Sequence, residues 1–278
     1  NTKMNTPVLL NKAYMEHDTI IPIASVSYHY FAGFGGGRKM IVPGISSRKT
    51  AMNNHKLAVD FGKKSRSENA TTGNLKNNPV NSDIVEAVMI ARAGKTFFMI
   101  NTILNEKGEI IFINGGDLFM SHIEATNKLM DFTKVKADKK YDAVIVSCGG
   151  FPKDINMIQA QKSLDRVVPL VKDGGKIFFF AKCQDGYGND YFRDFFEIKT
   201  ASEMFESLSN DYQINRQTAF NLKSIVERFE TYLYSDFDEE NTSRMGFKKL
   251  YEVSDIERIV ADLEDVAFVP DAYNCFFG

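Results

Sequence analysis

The sequence predicts an α/β protein made of two α/β domains, the second with a parallel, Rossmann-like core. The clearest observation is the succession YDAVIVS, DINMIQAQKSLDRVVPLV and KIFFFA within residues 141–181. A buried strand, an amphipathic helix and a second buried strand make a βαβ unit with parallel strands and a right-handed crossover. The polar run KVKADKK precedes this unit and predicts a domain junction. We therefore place the two domains at residues 1–133 and 134–278.

The N-terminal half alternates β-type runs with helical segments. Apolar β-branched runs predict buried strands, and serine or asparagine before an apolar periodicity predicts the N-cap of a helix. The predicted elements, in order, are a strand from residue 19 interrupted near Pro22, a helix capped by Ser46-Ser47 and running to about residue 60, a loop at 63–78, a helix capped by Asn81-Ser82 and ended by Gly94, paired strands at 96–104 and 109–114, and a helix at about 117–133.

The C-terminal half contains a second candidate ligand region. The loop CGGFPK, residues 148–153, follows the first strand of the βαβ unit, and open α/β sheets bind ligands at the carboxyl ends of parallel strands. Gly174-Gly175 predicts a break before the second strand. Further helices are predicted at 201–208, 219–232 and 254–263.

Composition excludes several classes of protein. Lys plus Arg (34) nearly balance Asp plus Glu (36), so the net charge of -2 gives no electrostatic case for a nucleic acid or an anionic membrane. No apolar run approaches the roughly 20 residues of a membrane span. Three widely separated cysteines fit a reduced cytoplasmic protein better than a disulfide scaffold. We expect a cytoplasmic protein with small polar ligands.

The most glycine-dense loop lies between His29 and His55, two of only four histidines. It reads GFGGGRK and contains Gly35, Gly36 and Gly37, followed by the Arg38-Lys39 pair. Clustered glycines let backbone N–H groups turn toward an anion, and the two cations would add charge-assisted contacts to a phosphate. The loop matches neither GxGxxG nor GxxxxGK. The residue types therefore leave a phosphate or nucleotide site and a simple tight turn about equally open.

The two flanking histidines each have a structural and a functional interpretation. His29 is either a core histidine satisfied by one hydrogen bond, which we favour from the residues alone, or a general acid/base beside the loop. His55 is either an exposed surface histidine or a metal ligand. It has no neighbouring His, Cys or carboxylate in a zinc-site spacing, so a metal there would need most of its ligands from something other than protein.

Two lysines are candidates for binding. Most lysines are solvated surface charges, but Lys39 could clamp a phosphate or form a covalent bond through its amine. Lys153 could orient a carboxylate substrate across a domain cleft. His17 and His122 have no comparable setting, and we interpret them as surface or structural residues.

Ordered blocks of the chain resemble the nickel-dependent lactate racemase family. They are HYFAGFGGGRK, PGI, NNH, NPVNSDIVEAV, GGFPKDIN, AKCQDGYG and SRMGF, and they cover most of the chain from about residue 20. This resemblance implies a nickel-pincer nucleotide, a pyridinium-3-thioamide-5-thiocarboxylic acid mononucleotide that holds nickel in a sulfur-carbon-sulfur pincer. It also implies cofactor-synthesis proteins as partners and a small 2-hydroxy acid as substrate.

The resemblance also implies roles for individual residues. Lys39 matches the lysine that attaches the cofactor, and His55 matches the histidine that completes the nickel coordination. His29 matches one of two acid/base histidines, and Lys153 resembles the lysine near the substrate. The glycine loop carries Gly35 where a serine is common in the family.

The implied activity is that of a 2-hydroxyacid racemase or epimerase, an isomerase working by proton-coupled hydride transfer to the tethered cofactor. The family's second catalytic histidine and its substrate-carboxylate arginine lie in an upstream Gly-Thr-His-Arg type motif, which does not precede Thr19 here. We therefore expect a fragment that is inactive on its own. The alternatives are a noncatalytic cofactor-binding homologue and, further off, a phosphotransferase that uses the glycine loop.

Overall fold

The structure, a computed structural model, describes residues 1–277. The chain divides into two compact units, residues 1–133 and 134–278. Both units mix helices with strands, and the strand pairings are of both kinds in the first unit and parallel in the second, which confirms the predicted α/β class. Among the described helices, none is both long and apolar enough to cross a membrane.

The first unit contains four helices and nine short strands in its described residues. The helices are α1 (Lys12–Met15), α2 (Arg48–Lys56), α3 (Pro79–Ala91) and α4 (Met120–Thr133). The strands are β1 (Thr19–Ile20), β2 (Ile23–Ser25), β3 (Tyr28–His29), β4 (Gly33–Phe34), β5 (Val59–Asp60), β6 (Ser65–Arg66), β7 (Thr96–Phe97), β8 (Met99–Leu104) and β9 (Ile110–Gly116). A 3-10 turn, Gly37–Met40, follows β4.

A three-stranded sheet in the order β2-β8-β9 forms the centre of this unit. The predicted pairing of residues 96–104 with 109–114 is confirmed, since β8 and β9 are antiparallel neighbours. The predicted interruption of the strand near Pro22 is confirmed, because Pro22 lacks the N–H group that a continuous ladder would need and separates β1 from β2. A second interruption, at residues 26–27, separates β2 from β3 and was not predicted.

The helix boundaries follow the capping side chains. Ser47 caps α2 as predicted, and its Oγ accepts a hydrogen bond from the backbone N–H of Thr50 at 3.2 Å. This helix ends at Lys56 rather than near residue 60, because β5 and β6 form a hairpin. The predicted start of α3 at Asn81-Ser82 is wrong, since Asn78 caps the helix and Pro79 occupies its first position, where proline is favoured.

The core of the first unit lies between α3 and the sheet. The apolar face of α3 is fully buried, and it packs with residues from the β3–β4 hairpin and from β8. The main members are Val80, Ile84, Ala87, Val88, Phe31, Ala32, Met99 and Leu118. This packing holds the hairpin and the glycine loop against a rigid helix.

The second unit has a parallel five-stranded sheet. The described helices are α5 (Met157–Val167), α6 (Asp190–Asp194), α7 (Ala201–Asn210), α8 (Ile214–Arg228), α9 (Glu239–Met245) and α10 (Ser254–Val260). The strands are β10 (Lys134–Val135), β11 (Tyr141–Ser147), β12 (Val171–Phe180), β13 (Glu230–Tyr234), β14 (Lys248–Lys249), β15 (Val266–Val269) and β16 (Phe276–Phe277). The sheet order is β14-β13-β12-β11-β15, and every pairing in it is parallel.

The predicted βαβ unit is confirmed as β11, α5 and β12. Gly174-Gly175 lies inside β12, where the register with β11 shifts, so the predicted break is an irregularity of the strand. The predicted helix at 219–232 is wrong at its end. The run ETYLY forms β13 with alternate residues Thr231 and Leu233 buried, because β-branched and aromatic residues at a period of two favour a strand.

Candidate functional site

The β3–β4 hairpin carries His29 at the start of a tight reversal. Tyr28 pairs with Phe34, and His29 pairs with Gly33. The half-buried His29 ring accepts a hydrogen bond at Nδ1 from the backbone N–H of Ala32, at 3.2 Å. This places His29 on a hairpin rather than near the end of a long buried strand. It also places the proton of the neutral ring on Nε2.

Phe31, at the tip of the same hairpin, touches three of the residues singled out from the sequence. Its ring centroid lies 4.5 Å from that of His29 and 4.8 Å from that of His55. The Nζ atom of Lys39 lies 6.0 Å from the Phe31 centroid. The structure therefore brings His29, Lys39 and His55 together around one buried ring, and we call these four residues the Phe31 cluster.

His55 is the buried member of the Phe31 cluster. It lies in the last turn of α2 and is 7% exposed, so its interpretation as a surface histidine is wrong. Burial and the positive charge of Lys39 lower the pKa of His55 to about 3, against a weaker opposing influence of the Ala51 carbonyl. The buried Nδ1 atom makes no hydrogen bond of normal geometry with any described residue. The ring is therefore neutral at pH 7 and carries an unsatisfied nitrogen, which is unusual in a packed interior.

The 3-10 turn after the glycines carries Arg38 and Lys39, whose side chains lie in different surroundings. Lys39 is half buried beside Phe31. Arg38 is 2% exposed and donates from Nε to Asn81 Oδ1 at 2.7 Å. Its Nη atoms donate to the carbonyl oxygens of Ala32 at 3.1 Å and Phe34 at 3.3 Å. Arg38 thus fastens the hairpin to α3, a structural role that sequence reasoning did not foresee.

The glycine loop lies directly on His122, a residue of α4. His122 is buried, so only its structural interpretation stands, and its Nε2 atom lies 2.9 Å from the carbonyl oxygen of Gly35. A Cβ atom on Gly37, whose φ is +52°, would lie 2.4 Å from the His122 ring. The backbone N–H groups of Gly36 and Gly37 donate to no other described residue. Gly37 is therefore required for the close packing of the loop on His122.

Lys153 belongs to the second unit, in the loop that follows β11. Its Nζ atom donates to Asp271 Oδ2 at 2.7 Å, and both side chains are about four-fifths buried. Asp271 follows β15, the neighbour of β11, so both residues lie at the carboxyl edge of the parallel sheet. The other carboxylate oxygen of Asp271 is buried without a hydrogen-bond partner among the described residues.

Metal ligands of the usual protein kind are absent from the part of the chain that the structure describes. No three His, Cys, Asp or Glu side chains in residues 1–277 converge on a common point. A metal at His55 would accordingly take its remaining ligands from a bound group.

Comparison with known proteins gives two family matches. The family described as "Lactate racemase N-terminal domain" matches residues 1–68, and the one described as "Lactate racemase C-terminal domain" matches residues 135–260. A lactate racemase of Lactiplantibacillus plantarum is 34% identical over 203 residues, 73% of this chain. One from Thermoanaerobacterium thermosaccharolyticum is 32% identical over 200 residues, 72% of this chain.

The chain belongs to the lactate racemase family. It spans 46% and 45% of the lengths of these two relatives. The solved lactate racemase apoprotein of T. thermosaccharolyticum superposes with a TM-score of 0.87 at 28% identity, covering 97% of this chain and 65% of that one. A Thermotoga maritima protein of known structure shares the fold, with a TM-score of 0.69 at 19% identity, covering 97% of this chain and 69% of that one.

Two residues that contact the candidate residues were missed in the sequence, Phe31 in the first unit and Asp271 in the second. Phe31 is one of 23 phenylalanines, and nothing in the sequence around it shows that its ring contacts three candidate residues. Asp271 had a signal, because it follows the apolar run VAFV just as Lys153 follows YDAVIVS. Acids and cations placed after neighbouring parallel strands meet at one sheet edge.

Proposed function

We propose that this chain carries the cofactor-binding part of a 2-hydroxyacid racemase or epimerase, with a lactate-like acid as substrate. The observation that carries the proposal is the Phe31 cluster, which places the amine of Lys39 and an unsatisfied nitrogen of His55 at one ring. The two relatives named lactate racemase support the reaction class.

The cluster fits a nickel-pincer nucleotide. Lys39 would hold the group covalently through its amine, and His55 would supply one nitrogen ligand to nickel. Because the pKa of His55 is about 3, protons do not compete for this nitrogen at neutral pH. A pincer that brings its own donors also agrees with the lack of a three-residue ligand set among the described residues. When bound, the group supplies a hydride acceptor and donor for C2 of the acid.

His29 would handle the proton on the C2 oxygen of the substrate. The Ala32 N–H group occupies Nδ1, so the neutral ring presents a donor at Nε2. The Nε2–H group of His29 would stabilise negative charge on the C2 oxygen of the substrate, and its hydrogen bond to that oxygen would orient the acid. The Phe31 ring makes edge contacts with both the His29 and the His55 rings, which would fix their orientation.

Lys153, in the second unit, would bind a substrate carboxylate. Asp271 holds the ammonium group in place and leaves one of its own oxygens unsatisfied. Lys153 could also donate a charge-assisted hydrogen bond to the carboxylate of a bound 2-hydroxy acid. Because every 2-hydroxy acid carries this carboxylate, the contact would position any member of the class.

Racemisation by protein made from the complete coding sequence, together with the cofactor-synthesis proteins, tests the proposed function. Chiral chromatography of L-lactate and other 2-hydroxy acids should show inversion of at least one acid. The activity should disappear in Lys39→Ala and persist in Lys49→Ala, an exposed lysine of α2. Nickel-loaded protein that inverts no acid would instead be the noncatalytic homologue, and ATP turnover without nickel would indicate a phosphotransferase.

A further inference from the structure

A cavity of about 500 Å³ opens on the first unit between α3, α4 and the loop around residue 75. This size is within the range of small-molecule pockets. Its apolar wall consists of Phe34, Leu75, Val85, Phe119, Ile123 and Met130. Its polar wall includes the buried side chains of Arg38, Asn81 and His122. The cavity therefore has an apolar wall and a wall that includes buried polar side chains.

Arg38 brings a positive charge into this cavity without a carboxylate to balance it. Its hydrogen bonds go to the Asn81 side chain and to the carbonyl oxygens of Phe34 and Ala32, and no described Asp or Glu pairs with it. A buried cation that meets only neutral dipoles retains a strong attraction for an anion. Burial also lowers the pKa of Arg38 to about 9, which leaves it charged at neutral pH.

Two N–H groups of Arg38 have no acceptor within residues 1–277. The Gly35 carbonyl can only accept, so the Nε2 atom of His122, at 2.9 Å, must carry the proton and donate it. The same nitrogen cannot also accept from Arg38 Nη1, which lies 3.4 Å away. Three acceptors then remain for five guanidinium N–H groups. The spare donors belong to the two Nη atoms, which is the fork that recognises a carboxylate.

The other residues that line the cavity also favour an anionic ligand over a cationic one. Lys76, on the exposed side of the cavity, makes no ion pair with a described residue. The lining residues include no Asp or Glu. Because most of the lining is apolar, a bare inorganic anion would leave that wall in contact with water.

We propose that this cavity binds a small organic monocarboxylate through Arg38. The carboxylate accepts from the two free Nη hydrogens, and an alkyl or aryl group packs on Val85, Phe119 and Ile123. The site differs from the Phe31 cluster in both its cation and its walls, so its ligand need not be the substrate.

Titration with hexanoate and its neutral analogue hexanamide tests this site, using calorimetry and methyl shifts of Met130 and Ile123. Hexanoate should bind saturably at millimolar or lower concentration, and hexanamide at least about tenfold more weakly, as expected for a lost charged hydrogen bond. Equal binding of the two probes, or no saturable binding of hexanoate, would overturn the proposal.

A pair of surface variants locates the binding, because Arg38→Met could fail to fold. Ile123→Glu puts a carboxylate at the mouth, where Ile123 is 43% exposed, and should weaken hexanoate binding about tenfold or more. Ile110→Glu, at a 59% exposed position of β9 outside the cavity, should bind as wild type. Unchanged binding in Ile123→Glu would place hexanoate elsewhere and contradict the assignment.

Discussion

Two buried histidines of the first unit form a natural comparison. His55 lies beside Lys39, and His122 lies beside Arg38, the preceding residue of the same 3-10 turn. Burial, followed by the neighbouring cation, lowers the pKa of both imidazoles to about 3. By charge state alone the two histidines are indistinguishable.

Their hydrogen bonds separate them. His122 donates to the Gly35 carbonyl and supports the close approach of Gly37, so its polar group is used within the fold. The buried Nδ1 atom of His55 makes no hydrogen bond of normal geometry with a described residue, although the Ala51 carbonyl acts weakly on the pKa of the ring. The comparison shows that a depressed pKa follows from burial in either case, so the hydrogen bonding of the ring, and not its pKa, distinguishes the proposed metal ligand from the structural histidine.

The largest expected effect is on the packing of His122. Gly37→Ala places a methyl group 2.4 Å from the ring at a φ of +52°, and it should lower the free energy of unfolding by about 4 kcal/mol. Gly94→Ala is the matched control, since Gly94 has a φ of +73° but open space around it. It should cost about 1 kcal/mol, measured by urea denaturation. Equal losses in the two variants would show that the His122 contact is loose.

The pH dependence of the free energy of unfolding tests the lowered pKa of His122. In the unfolded chain His122 is protonated below about pH 6.5, whereas in the folded chain it is protonated only below about pH 3. The free energy of unfolding therefore falls as the pH falls through this window. The His122 contribution is about 1.4 kcal/mol per pH unit. His122→Gln keeps an N–H donor without a titrating group, and its stability should fall less steeply between pH 6 and pH 4 by that amount. Parallel curves would contradict the assignment.

The same substitution at both histidines should give different results. His122→Leu leaves the Gly35 carbonyl without a donor and should cost about 2–3 kcal/mol. His55→Leu removes an atom that was already unsatisfied and should change the stability of the cofactor-free chain by less than about 1 kcal/mol. Thermal or chemical denaturation of both variants checks this. A large loss in His55→Leu would mean that its nitrogen has a structural partner.

Much of the fold could be predicted because local patterns agreed with the tertiary structure. The strands β11 and β12 and the helix between them are read directly from their apolar runs, and Ser47 marks the start of α2. The errors occur where tertiary pairing decides. Tyr232 was assigned to a helix although ETYLY joins a sheet. The run after Thr19 was predicted as a strand with one interruption, near Pro22, but its pieces pair with two different strands, β7 and β8.

The candidate site was only partly accessible from the sequence. His29, Lys39 and His55 could be named from their setting and from the resemblance, and they meet at one ring. The burial of His122 and the carbonyl bonds of Arg38 depend on α3 and α4 closing over the loop, which no local spacing encodes. That is why the residue types left a phosphate site and a tight turn equally open at the glycine loop, and why His122 could be interpreted only as a surface or structural residue.

The central claim is that Lys39 and His55 hold a nickel cofactor and that His122 does not. Intact mass and nickel content, measured on protein produced with the cofactor-synthesis proteins, test it most directly. We predict a cofactor adduct with nickel in wild type and in His122→Gln, no adduct in Lys39→Ala, and an adduct without nickel in His55→Ala. An adduct that survives in Lys39→Ala, or full nickel content in His55→Ala, would contradict this account.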